Sequence, residues 1–185
     1  MEVYFSTDVE ANGPIPGPNS MLSFGSVAIL EDGKTLGTFE ANLHELPGSS
    51  MNPNTKIFWD KNAAAYAKLR LNLQEPGVAM NNYTQWVETT SREYGLPVFV
   101  GYPVAWDFMY VYWYLIYFTG KSPFSHSAVD MKTMAMMLLK KDYRFSTKRN
   151  FPKRWFSDRP HTHGGLDDAL EQGDSFLRML KESRS

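Results

Sequence analysis

The stretch Glu2-Val3-Tyr4-Phe5-Ser6-Thr7-Asp8-Val9-Glu10-Ala11-Asn12-Gly13 decides how the chain is read. Val3 and Phe5 alternate with polar residues, the period-two pattern of a β-strand. The same period places Asp8 and Glu10 on one face, pointing the same way. Two carboxylates held side by side repel, and the repulsion is relieved by a cation or by a shared proton. Hard oxygen ligands of this kind suit magnesium or manganese. An isolated Asp-x-Glu is more often a pair of ordinary surface carboxylates, so the metal reading depends on partners elsewhere in the chain.

The chain has 185 residues, which predicts one domain over 1–185 with a sizeable core. It has no cysteine, which excludes disulfides and thiolate metal sites. That absence, with no basic-then-apolar leader at the N-terminus, fits a cytoplasmic protein. The aromatic run Phe108–Phe118 is too short for a membrane span, which takes roughly 17 or more apolar residues. It is also rich in tyrosine, whose buried hydroxyls need partners. It is read as a buried helix, with a subunit interface as the alternative.

Net charge is −1, but the charge is unevenly spread. Between Lys140 and Arg159 stand eight basic residues, Lys140, Lys141, Arg144, Lys148, Arg149, Lys153, Arg154 and Arg159, against two acidic ones, Asp142 and Asp158. A basic stretch on an otherwise acidic protein is a candidate footprint for a polyanion.

Taken in order, residues 2–10, 21–30 and 35–43 read as three strands of an antiparallel meander, with Asp32-Gly33 the hairpin turn. Residues 11–20 and 44–54 are loops by their Pro, Gly and Asn content. Asn54 or Thr55 is placed to cap a short helix ending at Asp60. An alanine-rich helix is expected over 62–73 and another from Val78 to Tyr94, closed by Gly95. Pro97–Tyr102 reads as a short central strand, Asp107–Thr119 as the aromatic helix, and Ser127–Asp130 as a short strand leading into a helix over 131–140. Residues 142–160 look irregular, and a final helix runs from Gly165 to Lys181. This order predicts an α/β fold, a mixed sheet with helices on its faces.

Three further residues can carry chemistry. Asp107 follows the Val98–Tyr102 strand at the start of a helix, where a carboxylate also serves as an N-cap. His163 and Asp168 are joined by His-x4-Asp spacing in His163-Gly164-Gly165-Leu166-Asp167-Asp168. Their ordinary roles would be a capping or surface histidine and a carboxylate complementing the helix dipole.

Together the residues form an ordered set: Asp-x-Glu on the first strand, Asp after a later strand, His-x4-Asp at the last helix. In this the chain resembles the DEDDh family of 3′–5′ exonucleases, which have the ribonuclease H-like fold and include the proofreading subunit of bacterial DNA polymerase, oligoribonuclease and ribonuclease T. Ser-Thr-Asp-Val-Glu-Ala-Asn-Gly is similar to the first motif, Tyr-Pro-Val-Ala-Trp-Asp to the second and His-Gly-Gly-Leu-Asp-Asp-Ala to the third. The resemblance covers nearly the whole chain and is strongest to small bacterial exoribonucleases. Pro103 stands where the family often has asparagine, which removes that side chain's contacts but leaves the metal ligands. The loop Ala11–Ser20 is proline-rich, so contacts around the terminal nucleotide are expected to differ.

The resemblance implies two divalent cations, Mg²⁺ or Mn²⁺, about 3.5–4 Å apart. They would be held by Asp8, which bridges them, with Glu10, Asp107 and Asp168. It implies His163 as the general base and nucleoside 5′-monophosphates released from RNA 3′ ends; His161 is a rival base two residues away, but the His-x4-Asp spacing favours His163 and His161 is expected to be dispensable. Lys148, Arg149, Lys153 and Arg154 are candidate phosphate contacts, and Trp155 or Phe151 candidate stacking platforms. The alternative for these rings is the core, as it is for Trp59. Two other readings stand beside the exoribonuclease: a DNA exonuclease of the repair or proofreading type, and a non-catalytic nucleic-acid-binding module on the same fold. The resemblance also implies a homodimer, and no membrane partner is expected.

Overall fold

Strand β1 (Glu2–Ala11) is the middle of a five-stranded sheet of order β3-β2-β1-β4-β5. The computed structural model describes residues 1–184. β1 pairs antiparallel with β2 (Met21–Ile29), which pairs antiparallel with β3 (Thr35–Asn42). On its other side β1 runs parallel to β4 (Leu96–Gly101), and β4 runs parallel to β5 (Val129–Asp130). The expected meander followed by βα units is therefore the observed topology.

Helices cover both faces. Helices α3 (Pro76–Tyr94) and α4 (Val104–Thr119) pack against Val3, Phe5, Val9 and Phe24 on one side. Helices α5 (Met131–Leu139) and α6 (Gly165–Ser183) pack against Tyr4, Val27, Ile29 and Val100 on the other. Consequently β1 is covered on both faces along its first half: Tyr4, Ser6 and Thr7 are as buried as Val3 and Phe5. All nine residues of β2 are buried, as expected of a strand sandwiched between helices.

The buried polar groups are paired. The Ser6 hydroxyl donates to the Ala169 carbonyl (2.9 Å), and the Gln172 amide donates to Ser6 Oγ (3.0 Å) and the Thr7 carbonyl (3.1 Å). These bonds tie α6 to β1 across a face where an unpaired polar group would be costly. The aromatic run is the buried helix expected. The Tyr114 hydroxyl accepts from Met21 N–H (2.8 Å), and the Tyr110 hydroxyl donates to the Gly13 carbonyl.

Several boundaries differ from the sequence reading. The cap of α1 (Pro53–Lys61) is Asn52, whose side chain accepts from the N–H groups of Asn54 and Thr55. The alanine-rich helix stops early, as α2 (Ala63–Leu69), because Arg70 turns back to the Leu43 carbonyl (3.1 Å) and Asn72 takes a left-handed φ of 52°. Helix α3 begins at Pro76, which suits a first helical position because proline lacks the N–H that would be orphaned there. Helix α4 begins earlier than expected, at Val104. The basic segment holds three single 3₁₀ turns, Tyr143–Phe145, Lys148–Asn150 and Lys153–Trp155. Among the described residues, no helix is long and apolar enough to cross a membrane.

Candidate active site

The site forms where β1 ends. Asp8 and Glu10 lie on the face of β1 that carries Tyr4 and Ser6, the face covered by α6. The register of the β1–β2 pair shifts between Glu10 and Ala11, a bulge that bends the strand beside the two carboxylates. Opposite Asp8 in the ladder stands Gly25. A Cβ at Gly25 would overlap the backbone of Gly165 and Leu166, and one at Gly165 would come within 2.7 Å of Gly25 N. The two glycines thus let the first turn of α6 rest directly on β2. That close approach delivers Asp168, which is 3% exposed, to the carboxylates of β1. Oxygens of Asp8, Glu10 and Asp168 lie within 4.8 Å of one another.

Asp107 arrives from the opposite side of the sheet. Helix α4 starts immediately after β4, and its first turn passes the end of β1. The helix cap is Pro103, so Asp107 is not an N-cap. Its Oδ1 accepts instead from the Val9 N–H (3.2 Å), while its buried Oδ2 has no hydrogen-bond partner. Asp168 shows the same division: Oδ1 accepts from Thr162 N–H (2.8 Å) and Oδ2 is buried and unpartnered. Buried polar atoms are almost always paired, so two orphaned carboxylate oxygens at one centre ask for a further ligand.

The electrostatics point the same way. Burial, then the nearby Asp168, pushes the Asp8 carboxyl up to about 7. Burial, then Asp8, pushes Glu10 up to about 9, and burial with Asp8 raises Asp107 well above the carboxylate range. The crowding thus disfavours the charged forms, and a divalent ion bound among them would favour those forms again. The all-oxygen set of acidic residues could hold such a metal.

Both histidines of the last motif are here, in different states. His161 Nδ1 lies 3.2 Å from Asp168 Oδ1 and 3.7 Å from Glu171 Oε2. Those two carboxylates raise the imidazole to about 10. Among the described residues, His163 makes no such pair. It sits at a left-handed φ of 55°, with its ring edge-on to Phe58 (5.2 Å) and to His161 (4.7 Å). It is not the helix cap, a position held by Gly164.

The basic segment is only partly what its composition suggested. Lys148 reaches the site: its ammonium pairs with Glu171 (2.9 Å), and its backbone N–H donates to the Tyr102 hydroxyl. Arg149 and Lys153 are exposed. Arg154 forms a two-pronged pair with Glu182 (2.7 and 2.8 Å). Trp155 is fully buried and donates its indole N–H to Glu182 (2.6 Å), and Phe151 packs edge-on against it (5.3 Å). Neither ring is offered to a base, which corrects the stacking expectation: burying an indole whose N–H finds a carboxylate outweighs presenting it to solvent. Trp59 is likewise core, its N–H on the Ala11 carbonyl (3.0 Å).

Two residues at the site escaped the sequence reading. Glu171 sits one turn after Asp168, and that i,i+3 spacing was the available signal. Phe58, 40% exposed, had no signal beyond lying next to Trp59.

No family model matches the chain. It is similar to the 3′–5′ DNA exonuclease Cap18 of Escherichia coli, with 27% identity covering 98% of this chain and 94% of the relative. Among solved structures it is similar to a 3′-exonuclease described in recognition of the histone mRNA stem-loop, with a TM-score of 0.72 and 11% identity over 97% of this chain and 82% of that one. It is also similar to Escherichia coli Exonuclease I in complex with a dA16 oligonucleotide, with a TM-score of 0.66 and 11% identity over 98% of this chain. The chain spans 41% of the length of Exonuclease I. The mixed sheet and its two helical layers are therefore the ribonuclease H-like fold of the 3′-exonucleases.

Proposed function

We propose that the protein is a metal-dependent 3′–5′ exonuclease of the DEDDh type, acting on DNA 3′ ends. The observation that carries this is the clustering of Asp8, Glu10 and Asp168, with Asp107 bonded to Val9 between the two β1 carboxylates, and with an oxygen each of Asp107 and Asp168 buried and without a partner among the described residues. The likeness to a DNA exonuclease over almost the whole chain favours DNA. RNA is the second reading, supported by the resemblance of the three motifs to those of small exoribonucleases. A non-catalytic module is disfavoured because no residue of the set is missing.

Asp8, Glu10, Asp107 and Asp168 would hold two divalent ions, which supply charge neutralisation at the scissile phosphate and acidify a bound water. His163 accepts the proton of the attacking water, a role that requires a neutral imidazole. His161 is less suited to it, because its Nδ1 is engaged by Asp168 (3.2 Å) and Glu171 (3.7 Å). His163 has no carboxylate partner of that kind, yet keeps a ring nitrogen within 4.8 Å of an Asp168 oxygen.

The test is a time course on 5′-labelled single-stranded DNA and RNA with magnesium, manganese or chelator, beside Asp8→Ala. A metal-dependent ladder shortening from the 3′ end, absent in Asp8→Ala and faster on DNA, is expected. Faster decay of RNA would restore the exoribonuclease reading, and no decay of either strand with binding intact would favour the binding module. In the same assay His163→Ala should lose about 10²–10⁴-fold in rate, and His161→Ala far less. The reverse order would exchange their roles.

A further inference from the structure

We propose that His161, His163 and Asp168 form a second, nitrogen-rich metal site that takes Zn²⁺ and thereby switches the nuclease off. The inference rests on the reading above for its consequence, but the site itself rests on geometry. One ligand atom from each of the three residues lies within 4.8 Å of the others. In a tetrahedral zinc site with bonds of about 2.0–2.1 Å, neighbouring ligand atoms stand roughly 3.4 Å apart. His161 Nδ1 and Asp168 Oδ1 stand 3.2 Å apart as an ion pair, so zinc would take the place of the proton between them and release it to solvent.

The carboxylate that the two sites share also has an oxygen in want of a ligand. Asp168 is 3% exposed, and its Oδ2 has no hydrogen-bond partner. The loop between the imidazoles is fixed from within. Thr162 N–H bonds Asp168 Oδ1 (2.8 Å), and the Thr162 hydroxyl bonds Asp167 (2.9 Å). The left-handed turn at His163 then brings the two rings edge to face. The His161 side chain is 51% exposed, which leaves the ion a route in.

The chemistry separates this site from the one formed by Asp8 and Glu10. Two imidazoles and a carboxylate are a zinc-type donor set with a fourth position left for water, whereas magnesium prefers oxygens alone. The two sites share Asp168, so they compete. Zinc would engage the His163 imidazole that the proposed reaction needs free and would withdraw a carboxylate from the magnesium set. Inhibition by zinc in the presence of excess magnesium follows.

The test is calorimetric titration of Zn²⁺ into the metal-stripped full chain with magnesium in excess, repeated with Co²⁺ to read the visible absorption of a tetrahedral site. One equivalent bound with a tetrahedral cobalt spectrum is expected. His161→Ala and His161→Asn should each weaken zinc binding about 100-fold and abolish the spectrum, whereas His44→Ala and His126→Ala should do neither. Zinc should also inhibit each His161 variant far less than the parent, each measured against its own magnesium rate. Unchanged zinc affinity in the His161 variants, or no binding in excess magnesium, would overturn the proposal. If zinc binds as expected but no metal supports hydrolysis, the zinc site stands and the nuclease reading falls.

Discussion

At the scale of single residues, Asp107 is the most informative. Its carboxyl is buried, uses one oxygen to hold the Val9 N–H, and leaves the other without a partner. A group kept for packing would pair both. Asp107→Asn keeps the acceptor for Val9 and removes the charge. It should lower nuclease activity by about 10³-fold or more, since a ligand to the reacting centre is removed. It should also raise the melting temperature of the metal-free protein above neutral pH, because a carboxamide need not ionise in a buried site. A fall in melting temperature would mean that Asp107 is a structural residue. The carboxylates that cluster here were legible in the sequence because each sits near the end of an element, where spacing along the chain predicts position. Glu171 and Phe58 were not, because each depends on which elements meet in space.

At the scale of elements, the crossing of α6 over β2 decides the site. Gly25→Ala should destabilise by about 1–3 kcal/mol, since the methyl meets backbone that cannot rotate away. It should also cut activity more than tenfold (a shift of about 1.4 kcal/mol) by displacing Asp168 from Asp8. Gly33→Ala is the comparison. There φ is 91° and nothing lies near a Cβ, so stability should fall by about 1 kcal/mol with activity unchanged. Equal loss of activity in both would mean that the crossing does not position Asp168. Element order and type were legible from period and turn residues. Helix ends were not: the alanine-rich stretch has propensity to continue past Leu69, but Arg70 is drawn to the Leu43 carbonyl and to Glu45 (3.6 Å). Such a tertiary interaction has no local signature.

At the scale of the whole molecule, the packed carboxylates couple stability to pH. Asp8 and Glu10 are raised from 3.8 and 4.5 to about 7 and about 9. A carboxyl raised in the folded state stabilises fully below its unfolded pKa, and that stability is lost as pH rises through the folded one. His161, raised from 6.5 to about 10, loses its contribution in the same direction. The metal-free protein should therefore melt on the order of 5 °C lower at about pH 9 than at about pH 6. Saturating magnesium should close the gap, because it binds the deprotonated carboxylates. A melting temperature independent of pH and metal would contradict the site. On the outer surface, Arg149→Glu with Lys153→Glu should weaken nucleic-acid binding and reduce its salt slope by roughly one for each phosphate no longer neutralised. An unchanged slope would remove the basic segment from the interface. The charge of that segment was visible in the sequence, but its partition between solvent and internal pairing was not, because Arg154 and Lys148 are paired to carboxylates of the last helix.

The bond between Ser6 and Gln172 joins side chains 166 residues apart. During synthesis at about 5–20 residues per second, that separation is a delay of roughly ten to thirty seconds. Throughout it the nascent chain displays Asp8 and Glu10, and later Asp107, but lacks the helix that brings Asp168 and the loop that brings His163. The proposed metal centre is therefore complete only once α6 has been synthesised.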